Sequence, residues 1–198
     1  MNRPLGLRER KKAETRRAVH EAALRLIAEL GFDAVTVEAI ADAANISRRT
    51  FSNYFAGKED AVLYGDEQRF RDLVERVRAQ PPELPPWECL RAAVDEMWAE
   101  VGEPDRDSTL RMRLAKRHPA LLARQLAMLS NLERDLADAI AGRPGRGPAA
   151  RVQPRVMAAA FISALRLAGH LWIDDPEGRT LREVLDDLLD QMALPFTG

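Results

Sequence analysis

The sequence predicts an all-α fold, with a three-helix unit over residues 1–58 and a larger helical bundle over 59–198. Two observations carry this. Apolar residues recur at spacings of three and four through most of the chain, which gathers them on one face of successive helices. The breaks in that pattern fall at residues that stop or start helices: Gly31, Gly102 and Gly142, Pro86 and Pro119, and the N-cap residues Thr36 and Ser47. At 198 residues, 46% hydrophobic and 31% charged, the chain has an ordinary globular balance and can bury a core.

Met1 to Leu7 has no periodicity and reads as an arm. The first helix begins near Arg8; Val19, Ala22, Ala23, Leu26, Ile27 and Leu30 form its apolar stripe and Gly31 closes it. Its basic opening, RERKKAETRR, lies beyond the stripe. That leaves two readings, a face laid along a nucleic-acid backbone or a solvated helix end.

Residues 36–58, TVEAIADAANISRRTFSNYFAGK, read as two short helices joined by a tight turn. Thr36 caps the first, Glu38 complements the dipole in its first turn, and Val37, Ile40 and Ala41 point inward. Asn45 tolerates the left-handed backbone that a sharp turn demands. Ser47 caps the second helix, where Phe51 and Phe55 face the core while Arg48, Arg49, Thr50, Ser52, Asn53 and Tyr54 form a polar face free to enter a major groove. Lys58 opens the next helix, where a cation opposes the dipole; a phosphate at that site would account for it.

The run RAVHEAALRLIAELGFDAVTVEAIADAANISRRTFSNYFAGKEDAVL resembles the N-terminal domain of the TetR family of bacterial transcriptional regulators, the resemblance covering about Arg8 to Leu63. It departs from the family at Asn45, where glycine is usual, and at Ser52, where Tyr or Phe is usual. The resemblance implies a phosphate contact by Lys58, a homodimer and a small-molecule effector. The candidate DNA contacts are Thr36, Ser47, Arg48, Arg49, Thr50, Asn53, Tyr54 and Lys58, with Arg49 as the base reader and Lys58 and Tyr54 as backbone anchors.

The helix opened by Lys58 runs to about Ala79 and is ended by PPELPP, residues 81–86. The next starts at Pro86, follows Leu90, Ala93, Val94, Met97, Trp98 and Val101, and stops at Gly102 and Pro104. Ser108 is expected to cap a short helix reaching Lys116. Pro119 begins a longer one ending at Gly142, and GRPGRGP, residues 142–148, is a loop whose glycine spacing lacks the lysine of a phosphate loop, Pro148 standing in its place. Two last helices span about Pro154 to Ile173 and Thr180 to Leu194.

The alanines of the first of these and the leucines of the second suit a four-helix packing with a second copy. Ala160, Ala164, Ala168, Trp172, Leu181, Leu185 and Leu188 are the candidate interface. Candidate walls of an effector pocket are Trp98, Met112, Arg113, Met128, Asn131, Phe161, Arg166 and His170, each of which also reads as plain core or surface. RRTFSNYFAGKEDAVL with RLAKRHPALLARQLAMLSNLERDLADAIAGRPG is similar to a subgroup that includes the mycofactocin regulator, which implies an acyl-coenzyme A-like effector.

Charge supports the division into head and body. Residues 1–58 carry eleven basic and seven acidic side chains, net +4, and the remainder 19 basic and 24 acidic, net −5. That split fits a phosphate-binding head on a body that does not touch DNA. Cys89 is the single cysteine, so no intrachain disulfide forms; no segment resembles a signal peptide, and a cytoplasmic protein is expected. Val156 to Leu165 is about half of a membrane span and is expected to be a buried helix. No metal or cofactor is expected: His20, His118 and His170 fit no ligand pattern, and no nucleophile has a base. The expectation is a dimeric regulator of a palindromic double-stranded DNA operator, most simply a repressor released by a small molecule. The alternatives are a ligand-independent or architectural DNA binder and a helical enzyme.

Overall fold

The computed structural model describes residues 6–102, 106–143, 152–174 and 178–193, the side chains of 101, 106, 107 and 152 excepted. Most of the N-terminal arm, Pro104, the loop beyond Arg143 and Leu194 therefore lie outside the described residues. The described chain is helical with no strand: α1 Leu7–Leu30, α2 Val37–Ala43, α3 Arg48–Ser52, α4 Lys58–Ala79, α5 Pro86–Val101, α6 Arg106–Arg117, α7 Pro119–Ala141, α8 Val152–Asp174 and α9 Leu181–Ala193.

Local rules set most boundaries. Gly31 closes α1 at φ 86° and Gly102 closes α5 at φ 74°, backbone that a side chain would strain. Pro86 and Pro119 open α5 and α7, where a missing N–H costs nothing. A capping box starts α9: the Thr180 amide donates to Glu183 Oε2 at 2.8 Å and the Glu183 amide to Thr180 Oγ1 at 3.1 Å. The Thr180 amide bond first, and then a bond to the Thr180 side chain, hold the Glu183 carboxyl below its ordinary range. One expected cap is different. Ser108 lies inside α6, buried, and its hydroxyl accepts from Arg111 Nη2 at 2.9 Å.

Two hydrophobic clusters meet along α4. The first holds Val19, Ala23 and Ile27 of α1, Ile40 of α2 and Phe51 of α3, and continues past residue 58 to Ala61, Val62 and Leu63. Ala115 of α6 and Leu121 and Met128 of α7 join it, so the body's helices pack directly into the head. The second cluster takes Leu73 and Val77 of α4 with Trp87, Leu136, Ile140, Phe161 and Leu185. Helices α1 and α4 approach closely at Gly65, where an added Cβ would stand 3.0 Å from His20 Nε2; His20 Nδ1 donates to the Ala61 carbonyl at 2.7 Å. At the far end of α4, the Arg143 guanidinium reaches the carbonyls of Val77, Gln80 and Leu84 at 3.3–3.5 Å, and that of Pro81. A cation over the terminal carbonyls stabilises that helix end.

Helix α8 has two faces. Met157, Ala158, Phe161, Ala164 and Ala168 are buried within the chain, whereas Val156, Leu167 and Leu171 stay 50%, 39% and 46% exposed. The short apolar run seen in the sequence understates this helix: Gln153–Asp174 has the length and mean hydropathy, 1.6, that a membrane span requires. Its packed face belongs to the second cluster nevertheless.

Candidate nucleic-acid interface and internal cavity

The two short helices and their turn form as their caps dictate. Thr36 Oγ1 accepts from the Ala39 amide at 3.1 Å and Ser47 Oγ from the Thr50 amide at 3.0 Å. Asn45, at φ 54°, makes the turn between the helices. Phe51 and Phe55 are buried, their ring centroids 5.5 Å apart, which fixes which side of α3 faces outward. Regular helix ends at Ser52, earlier than the sequence pattern suggested, with the Tyr54 amide turning to the Phe51 carbonyl at 2.9 Å.

On the outward face, Arg48, Arg49, Ser52 and Asn53 are exposed. Arg48 pairs with Glu38 at 2.9 Å, whereas no ion pair holds Arg49 among the described residues. Thr50 is half-buried, its hydroxyl 2.8 Å from Ser47 Oγ. The Arg16 guanidinium lies 5.7 Å from the centroid of the Tyr54 ring, and Arg8, Glu9, Lys11, Lys12 and Thr15 border a shallow concavity with Tyr54. The opening of α1 thus adjoins Tyr54, just beyond the end of α3.

Lys58 meets a geometry the sequence did not suggest. Its Nζ donates to the Phe32 carbonyl at 2.7 Å and to the Val35 carbonyl at 3.0 Å, inside the turn between α1 and α2. The cation at this helix start is therefore accounted for within the chain, with no phosphate required.

The body contains a cavity of about 360 Å³, within the usual range for small-molecule sites. Its walls come from α4 to α9, and they are mostly apolar. Four expected wall residues line it: Trp98, Met112, Arg166 and His170. The other four do not, for physical reasons. Phe161 is fully buried with its ring against Trp87, and Met128 belongs to the head cluster. Arg113 and Asn131 are exposed away from the cavity, Asn131 bonded to Arg134.

The sequence pattern did not single out Asp66, Arg69 and Phe70 of α4, Ser108 of α6 or Gln125 of α7 as cavity walls. A signal was present: Val62, Asp66, Phe70, Leu73 and Val77 share one stripe, so a carboxylate stands in an apolar row. Its partner is Arg111, 3% exposed. The guanidinium is bidentate to Asp66, with Nε 3.2 Å from both carboxylate oxygens and Nη2 3.0 Å from Oδ1. Arg69 Nη1 donates to the same Oδ1 at 3.0 Å. This network ties α4 to α6 at the cavity wall.

Four of the seven expected interface residues also need correction. Ala164, Ala168, Leu181 and Leu185 are 0–6% exposed in the single chain, so they have no surface left to offer a second copy. Ala160, Trp172 and Leu188 are half-buried against the same core. The uncovered apolar stripe on α8 is Val156, Leu167 and Leu171 instead.

Comparison with known proteins agrees with this architecture. The family model "Bacterial regulatory proteins, tetR family" matches residues 20–63, and "MftR C-terminal domain" matches residues 84–197. Among curated proteins, the transcriptional regulator TcmR of Streptomyces glaucescens is 28% identical over 195 residues, covering 94% of this chain and 86% of that protein. The putative mycofactocin biosynthesis regulator MftR of Mycobacterium tuberculosis is 28% identical over 185 residues, covering 91% and 90%. Among solved structures, the repressor FadR of Thermus thermophilus, in complex with lauroyl-CoA, is 29% identical with a TM-score of 0.57, covering 89% of this chain and 92% of that one. A putative TetR-family regulator from Syntrophomonas wolfei shares the fold at a TM-score of 0.65 and 16% identity, covering 94% and 97%. This chain belongs to the TetR family of DNA-binding transcriptional regulators, with a C-terminal domain of the MftR type.

Proposed function

We propose that the protein is a homodimeric repressor of a palindromic operator, released when a small molecule enters the α4–α9 cavity. One observation carries this reading: α4 begins beside the DNA-reading unit at Lys58 and forms the cavity wall at Asp66, Arg69 and Phe70. A ligand that favours one position of this helix thereby favours one position of the head. Two recognition helices read a palindrome only when about 34–36 Å apart, so a modest change in that spacing lowers affinity.

The effector proposed is acyl-coenzyme A-like. The apolar walls suit an acyl chain, and the FadR of Thermus thermophilus was solved with lauroyl-CoA. Arg49 is the proposed base reader, with Arg48, Thr50 and Asn53 beside it and Tyr54 on the backbone; Thr36 and Ser47 hold the two helices. The exposed stripe of Val156, Leu167 and Leu171 is the proposed dimer face, since an uncovered apolar row of this kind marks an interaction site. A regulator acting on the chromosome works in the cytoplasm.

The test is a thermal-shift panel of acyl-CoA thioesters followed by operator titration. Binding that stabilises the protein and weakens the operator complex supports the reading. Stabilisation with unchanged operator affinity favours a ligand-independent binder.

A further inference from the structure

We propose that Arg69 determines the charge of the ligand this cavity accepts, by reading the anionic head of an amphiphile; this rests on the cavity being the effector site. The cavity walls are predominantly apolar, with Phe70, Trp98, Met112 and Leu129 among them, so they favour a hydrocarbon chain but do not choose its head group. Arg69 supplies the choice. Its side chain is 31% exposed, and among the described residues its one ion pair is with Asp66.

That carboxylate is already engaged. Arg111 holds both Asp66 oxygens, so one negative charge is shared between two guanidiniums and, among the described residues, this cluster keeps a positive excess. A guanidinium has five N–H donors, of which the Asp66 bond uses one, and the others are oriented in a fork that fits a carboxylate or a phosphate. Arg166 and His170 also line the cavity, but both are exposed, where solvent and salt weaken their pull. Arg69 is the more sheltered cation, and it is one turn from Asp66 on the helix that begins at the DNA-reading unit. Ser108 and Arg111 lock the Asp66 side of the cluster, which leaves Arg69 as the member free to meet a ligand.

The experiment measures binding of dodecanoate, dodecanol and lauroyl-CoA, below their micelle concentrations, to the full chain and to Arg69→Gln. Calorimetry gives the affinities, and the intrinsic tryptophan fluorescence, to which Trp98 at the cavity wall contributes beside Trp87 and Trp172, gives a second readout. Dodecanoate is expected to bind the wild type about tenfold tighter than dodecanol, ~1.4 kcal/mol, and Arg69→Gln to remove most of that preference. Loss confined to dodecanoate assigns Arg69 to a free carboxylate; loss confined to lauroyl-CoA assigns it to the phosphate-bearing head. Either result supports the proposal. Anionic probes that bind Arg69→Gln as tightly as the wild type overturn it while leaving the cavity's role intact. Failure of all three probes to bind or to alter operator affinity overturns the proposal and the effector reading together. Should Arg69→Gln not fold by circular dichroism, Arg69→Met carries the same comparison.

Discussion

Lys58 Nζ donates to the Phe32 carbonyl at 2.7 Å while lying 4.4 Å from the centroid of the Phe32 ring. The opposite edge of this cluster belongs to the body, since the His118 ring sits 4.5 Å from that of Phe32, with Nδ1 3.4 Å from Asp33. One aromatic residue in the α1–α2 turn thus joins the start of α4 to the α6–α7 turn. We propose that Lys58 is a strut for this junction. Lys58→Ala is expected to lower stability by about 2–3 kcal/mol, because two carbonyls would be left without a charged donor, and to weaken all DNA sequences alike. A salt titration discriminates: a strut leaves the slope unchanged, whereas removing one phosphate anchor from each subunit reduces it by about two per dimer.

Arg49 is exposed and unpaired among the described residues, in contrast to Arg48. Arg49→Ala is expected to flatten the preference at particular operator positions by about 1–3 kcal/mol while sparing random duplex. Competition binding with single-base operator variants measures this. Equal losses on every sequence would move the reader's role elsewhere.

Breaking the Asp66–Arg111 pair is expected to cost about 3–5 kcal/mol in Asp66→Leu, which leaves the buried Arg111 without its carboxylate, and less in Arg111→Met, where Arg69 still pairs with Asp66. The double variant is expected to lose much less than the sum of the two. Urea denaturation of the four proteins completes the cycle; additive losses would mean that the two side chains act independently.

On α8, Leu167→Glu with Leu171→Glu is expected to yield a folded monomer, because both side chains are exposed in the single chain. Ala164→Glu is expected to prevent folding, since it buries a charge at a fully enclosed site. Sedimentation and circular dichroism separate these outcomes. A dimer that survives the Leu167 and Leu171 changes places the interface on another face.

What the sequence disclosed was set by short range. The caps at Thr36 and Ser47, the left-handed Asn45 and the stops at Gly31 and Gly102 each depend on a few neighbours, and all were legible. The faces of α8 were not. Its residues are apolar nearly all round, so periodicity could not say whether Ala164 or Leu167 would be covered. The cavity was half legible for a similar reason: Trp98, Met112, Arg166 and His170 stand out by type, but Arg113 differs from Met112 only by a rotation about the helix. Arg111 resembled any solvated arginine until Asp66 faced it across two helices. The carbonyl partners of Lys58 were not legible because they lie more than twenty residues earlier in the chain, beyond the reach of a local helix-dipole argument.

In the proposed mechanism, occupancy of the cavity is felt at the operator through α4. Gly169 lines the cavity, and a Cβ there would meet Met112 Sδ at 3.8 Å, so Gly169→Phe places a ring in the ligand's space. The decisive measurement is operator affinity with and without saturating lauroyl-CoA, for the wild type and for Gly169→Phe. A loss of about tenfold or more is expected in the wild type, a coupling of ~1–3 kcal/mol, and little or none in the variant. An operator affinity that lauroyl-CoA leaves unchanged in the wild type, or lowers equally in both proteins, would contradict it.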